Sequence, residues 1–304
     1  MIHGWVERTR RAAAWLAALA TCGWASAPEH DAAVRAAEES HARGDAEGVY
    51  AAAERARGVA EPVPLADLRA KILDIDQVLL EYLVGEGATF IALVSQDRCR
   101  SARVDVGADS LAALVDTLNA QIEAGEREPG ASKTLHALLI APLAAEIPPD
   151  ARLVFVPDAP AGRFPFAALR DGESFLVERH PISSARGSAT ALPTERVELE
   201  SFPVAVGSIV PKEGFASPGV HEVAPELSSW DRTLPADVGI ARAQRAAIAR
   251  GAPPREWAVV VPTGRMRAPR RPSGEFPGWL VPIGMAAGGA TLWLALRRVP
   301  RVAS

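Results

Sequence analysis

With 304 residues, 48% of them apolar and 23% charged, the chain is globular in composition rather than disordered. That length suits one or two domains at about 150 residues each. Lysine and arginine number 33 against 37 acidic residues, which excludes the basic footprint of a nucleic-acid binder, and two cysteines, Cys22 and Cys99, cannot build a zinc site. Only Lys71, Lys133 and Lys212 are lysines; so much Arg and Ala reads as a GC-rich bacterial coding bias, a mutational signal.

Residues 1–27 form an apolar N-terminal segment. Arg8, Arg10 and Arg11 precede AAAWLAALA and then Gly23, Ala25 and Ala27, the order of a secretory signal peptide, with cleavage after Ala25 the better site. An alanine-rich amphipathic helix is the competing reading. A lipoprotein reading through Cys22 is weaker, because Thr21 stands where a smaller residue is usual. Residues 28–62 read as a helical hairpin turning at Arg43-Gly44-Asp45, with Asp31/Arg35 and Glu39/Arg43 as acid-before-base pairs one turn apart. It resembles one tetratricopeptide-type unit. Such a unit cannot bury its own apolar face, so it must pack on the next domain or on a partner.

Residues 63–264 alternate strand and helix signals, which predicts α/β layering. Val78–Val84 and Thr89–Val94 are apolar runs joined by Gly85-Glu86-Gly87-Ala88, a hairpin pattern, and Ala102–Val106 is a candidate third strand. Leu111, Leu114, Val115, Leu118 and Ile122 recur at helical spacing up to Gly125, and a second helix carries Leu135, Leu138, Leu139 and Leu143. RLVFVP then reads as a strand buried on both faces. Residues 265–275 are an Arg/Pro linker. Residues 276–296 contain no charge and predict a transmembrane helix with Trp279 and Trp293 near its ends, and 297–304 form a basic tail. A buried hairpin is the competing reading of that run. Arg265, Arg267, Arg270 and Arg271 balance the arginines beyond it, so only the signal segment sets the orientation, with the body outside the cytoplasmic membrane.

The stretch from Arg152 to Leu192 carries Pro157, Asp158, Pro165, Phe166, Ala168, Leu169, Leu176, Val177, Glu178, Arg179, His180, Ser188, Ala189 and Thr190 in an order that resembles the CHAT domain of the caspase-like clan. LLEYLVGE and LHALLIAPL upstream, and PVAVGS and PGVHEVAPEL downstream, look like further parts of it. The resemblance covers most of Pro64–Gly264. It implies a caspase-like layered sheet with flanking helices, with Leu176–His180 in a strand pair and Trp257 opening the last strand. The family's catalytic segments, one ending in His-Gly and one placing a Cys after Ser-Ala, have no counterpart here. After Ser228-Ser229-Trp230-Asp231 the chain passes directly into what resembles the family's final helix and strand. The sheet is thus expected to be truncated, with Val204–Val206 and Val259–Val261 in one sheet as neighbours or across a gap that a partner strand fills.

No catalytic, cofactor or metal residue is therefore assigned. Cys99 lies between Arg98 and Arg100, cations that would lower a thiol pKa, but the position reads as a hairpin tip with no base placed beside it. His180 reads as a satisfied strand histidine; His136 lies on the amphipathic helix and His221 follows Pro-Gly. Asp158 reads as a turn residue bonding its own downstream backbone, and Phe164, Phe166 and Leu169 as core. The Arg265–Arg271 cluster is either a headgroup contact or a solvated linker. The expected function is a membrane-tethered, catalytically inactive interaction or scaffold module, meeting a protein partner through the helical hairpin or an open sheet edge. The alternative is a caspase-clan cysteine peptidase completed by a partner or by displaced residues.

Overall fold

Two helices open the described part of the chain: α1 (Ala27–Ala42) and α2 (Ala46–Ala56). The turn between them needs the left-handed backbone that Gly44 adopts at φ 71°. Asp45 caps α2, its carboxylate accepting the Gly48 N–H at 2.8 Å. The computed structural model describes residues 27–159, 161, 165–185, 224–228, 231, 234–258 and 262. The signal-like segment, Phe164, Val204–Val206, His221, Val259–Val261 and everything from 263 onward, the charge-free run included, lie outside the described residues. Among the described residues no helix is long and apolar enough to cross a membrane.

A short helix, α3 (Leu65–Asp67), and a wide turn at Leu68–Ile72 lead into β1 (Gln77–Val84), β2 (Thr89–Val94) and β3 (Cys99–Val104). Strand β3 begins three residues before the expected Ala102, because its pairing with β2 runs from Thr89↔Val104 to Val94↔Cys99. Then come α4 (Ala108–Glu123), α5 (Gly130–Leu139), a tight turn at Ala141–Glu146 and β4 (Arg152–Val156). Gly107 lets α4 start hard against the β1–β2 turn: a Cβ there would lie 1.6 Å from the Glu86 carbonyl oxygen. Beyond β4 follow α6 (Leu176–Arg179), β5 (Ile182–Ser184), α7 (Pro225–Ser228), α8 (Ala236–Ala249) and α9 (Pro254–Trp257).

The described strands form one sheet in the order β3-β2-β1-β4-β5. The first three strands run antiparallel, while β1–β4 and β4–β5 are parallel. Alternate residues of β1 face opposite ways. Val78, Leu80, Tyr82 and Val84 meet α4, α5 and α8; Leu79 and Leu83 meet the hairpin residues Val49, Tyr50, Ala52, Ala53 and Ala56. Both faces are covered, which is why VLLEYLV is nearly all apolar. The hairpin thus spends its apolar face inside the chain.

Two expectations are corrected. Leu176–Arg179 is a helical turn and not part of a strand pair. The Glu178 carboxylate accepts the Phe175 N–H at 2.6 Å, and the His180 N–H closes the turn on the Leu176 carbonyl at 3.0 Å. Trp257 ends a helical turn instead of opening a strand, because Pro254 sets a helical φ at the first position and the Ala258 N–H bonds its carbonyl at 2.8 Å. On the outer side of β5 the Ser184 N–H donates to the Pro262 carbonyl at 2.9 Å, so Pro262 sits beside that edge.

Candidate functional site

The chemistry-bearing side chains of the described residues fall into two groups at opposite ends of the parallel strands. At the carboxyl end of β1 and β4 stands Asp158, 4% exposed. Its Oδ1 accepts the Ala159 N–H at 2.9 Å, the local turn bond that its sequence context suggests. Its Oδ2 accepts the Val84 N–H at 2.9 Å and lies 3.1 Å from Nε2 of His30 on α1, two long-range contacts that no local pattern announces. The hydrogen bond to Asp158 raises the His30 pKa; burial and the Arg57 charge oppose this, and the charges of Asp158 and Asp31 add to it.

Beside it lies a buried charge seam between hairpin and sheet. Glu81 of β1 is fully buried on the hairpin face, where its carboxylate meets Arg57, whose side chain is 8% exposed. The same guanidinium donates to the carbonyls of Ala53 (2.8 Å), Tyr82 (2.6 Å) and Val156 (3.1 Å). Glu54 of α2, also fully buried, reaches the Glu81 carboxyl. Burial pushes the Glu81 carboxyl well up; Arg57 opposes, while Glu54 and Asp158 reinforce the shift.

At the amino end, α5, the Ala141–Glu146 turn and α6 border a half-open cavity of about 350 Å³ lined by His136, Ile140, Asp171, Ser174, Arg179 and His180, among others. Nδ1 of His180 lies 2.9 Å from the Ala151 carbonyl oxygen, so that nitrogen must carry the proton. Burial lowers the pKa of both His180 and His136 and keeps these rings neutral. Burial would raise Asp171, yet the backbone N–H groups of Ser174 and Glu173 and the Arg179 guanidinium hold its carboxylate low. Nearby, Arg152 at the start of β4 grips Asp237 of α8 with two bonds of 2.7 and 3.0 Å.

Cys99 belongs to neither group. It opens β3, at the sheet edge away from β5, level with Leu79 through Val94. Asp158 binds five residues further along β1, at Val84, about 16 Å at strand rise. The imidazole over this edge, His41, lies 3.2 Å from Ser101 Oγ and pairs with it. The flanking arginines do not activate the thiol, in keeping with the reading that assigns Cys99 no catalytic role. Arg98 turns to Asp97 and Glu146, Arg100 caps the Cys99 carbonyl, and burial pushes the thiol up to about 11. In a Cys22→Ala background, Cys99 should therefore react with iodoacetamide at pH 7.5 about a hundredfold more slowly than an ordinary thiol. Reaction should become fast in urea; fast alkylation of the folded protein would contradict the buried thiol.

Phe166 and Leu169 are buried core, as expected. The described residues include no cluster of three or more metal-ligating side chains. Sequence reasoning missed Glu54, Arg57 and Glu81; the one available signal was a lone Glu inside the apolar run VLLEYLV.

Hairpin, mixed sheet and second helical layer define a layered α/β domain whose interior charges join one layer to the next. Within it, residues 130–264 match the family model of the CHAT domain, so this stretch carries the family resemblance, while β1–β3 precede the matched residues and pair directly with β4. No curated protein matches the chain.

Proposed function

We propose that this protein is a membrane-tethered CHAT-like scaffold that acts by binding rather than by cleaving. The observation that carries this reading is the commitment of Asp158 and Cys99: the carboxylate is spent on Val84, Ala159 and His30, and the thiol is half-buried at the far edge of the sheet. A cysteine peptidase needs its thiolate and imidazole within hydrogen-bond reach. The tether rests on the charge-free run Phe276–Leu296, and a protein partner would meet the outer face of the hairpin or an open sheet edge.

A specific observation favours the alternative, a peptidase completed in trans. His30 is an imidazole oriented by a buried carboxylate at the carboxyl ends of parallel strands, where α/β sheets place their ligands. The full chain incubated with a broad peptide library should cleave nothing. Cleavage that disappears in Cys99→Ala or in His30→Gln would overturn the scaffold reading.

A further inference from the structure

The hairpin is held to the sheet by an apolar face and by a seam whose charges do not balance unless it holds protons. The seam's interior groups are Glu54 on α2, Arg57 at its C-cap, Glu81 on β1, Asp158 after β4 and His30 on α1. With every carboxyl ionised and His30 neutral, three negative charges face the single positive charge of Arg57. A proton on His30 and one on Glu81 leave two negative against two positive. Carboxyl groups buried together cannot all be ionised cheaply, and Glu81 is the one that burial, Glu54 and Asp158 drive to hold a proton.

The remaining charges around the seam do not supply the missing positive charge. Asp31, on the solvent side of α1, adds negative charge beside His30. Strand β2 carries no charged side chain. On β3, Arg103 is already taken by Glu38 of α1 at 3.2 Å and by Asp105, and His41 of α1 is paired with Ser101.

We propose that the helical hairpin is a proton-locked cover of the sheet: protons at the His30–Asp158 contact and on the buried Glu81 keep it seated, and their loss loosens it. The direction follows from geometry and agrees with the electrostatics. Both His30 and Glu81 bind their protons more tightly in the folded chain than free in water. A group of that kind contributes stability that is fully present below its unfolded pKa and lost as pH rises through its folded one. For His30 the loss begins above the ordinary value of about 6.5. For Glu81 the loss begins above the ordinary carboxyl value of about 4.3 and extends upward with its raised pKa.

Rupture of the seam need not unfold the sheet. Strands β1 and β4 keep their parallel pairing and the α4, α5 and α8 layer on their other face. What loosening would expose is the apolar face formed by Leu79, Leu83, Phe90 and Val154, a surface able to take another chain. This cover is a property of the fold and holds whether the protein acts as a scaffold or as a peptidase.

Hydrogen exchange of the full chain, corrected for intrinsic rates, tests the lock at pH 6 and pH 9. Amides of α1 and α2 should lose about tenfold or more of their protection relative to those of β1 and β4, one pKa unit being a factor of ten. His30→Gln, at a half-buried position 25% exposed, should remove the part of the loss that sets in just above neutrality while the chain stays folded. H30Q/E81Q should flatten the response. Equal hairpin protection at both pH values would overturn the proposal, as would β1 and β4 losing protection in step with the hairpin. A full wild-type response persisting in H30Q would remove His30 from the lock, and persistence in H30Q/E81Q would end it.

Discussion

Arg57→Met should destabilise the chain by about 3–5 kcal/mol, the cost of removing one partner from a buried ion pair. The loss is large because Met replaces a guanidinium that answers Glu81 and three backbone carbonyls, those of Ala53, Tyr82 and Val156. Each carbonyl left dry adds its own desolvation cost. The loss should be greater at pH 8 than at pH 5, because protonation relieves a Glu81 that has lost its cation. Urea unfolding followed by far-UV circular dichroism at the two pH values reads both effects. Adding Glu81→Gln should return part of the stability, since the pair is worth far less than its halves are costly. A double variant as unstable as the sum of the two singles would show that Arg57 and Glu81 do not act together.

Trp257→Ala should cost a similar 3–5 kcal/mol through the cavity it leaves. Trp257 is fully buried, its ring edge-on to Phe175 at 4.9 Å between centroids, and its Nε1–H donates to the Ala252 carbonyl at 3.1 Å. Its own carbonyl accepts Nε2–H of Gln244, tying α9 back to α8. Loss of the indole thus unseats two helices and the Phe175 wall of the amino-end cavity together. Trp257→Phe keeps most of the apolar volume and loses the indole hydrogen bond, so its cost should be about 1–2 kcal/mol plus whatever volume Phe fails to fill. Equal losses for Ala and Phe would point to the hydrogen bond rather than to packing.

These two residues stand differently in the sequence. Trp257 is a large apolar residue in a short apolar run, and that setting alone argues for its burial; its element is harder to read. Pro253-Pro254 favours a helical turn, while the following valines favour a strand, and the observed turn reflects the proline. Arg57 is the opposite case. At the end of an alanine-rich helix, two residues after Arg55, such an arginine reads as a solvated C-terminal cation, and nothing within ten residues names Glu81 as its partner.

The sequence by itself determined the elements whose signals are local. The hairpin turned at Arg43-Gly44-Asp45, strands β1 and β2 around Gly85–Ala88, helices α4 and α5, strand β4 and the CHAT-like stretch are all set by periodicity, turn chemistry or motif order. Tertiary structure alone decided where the hairpin lies, which carboxyls share its seam, and that Cys99 is a suppressed thiol rather than an activated one. The reason is physical. Helical and strand periods depend on neighbours a few residues apart, whereas the charge state of Glu81, His30 or Cys99 depends on burial and on groups brought in from 24 to 128 residues away.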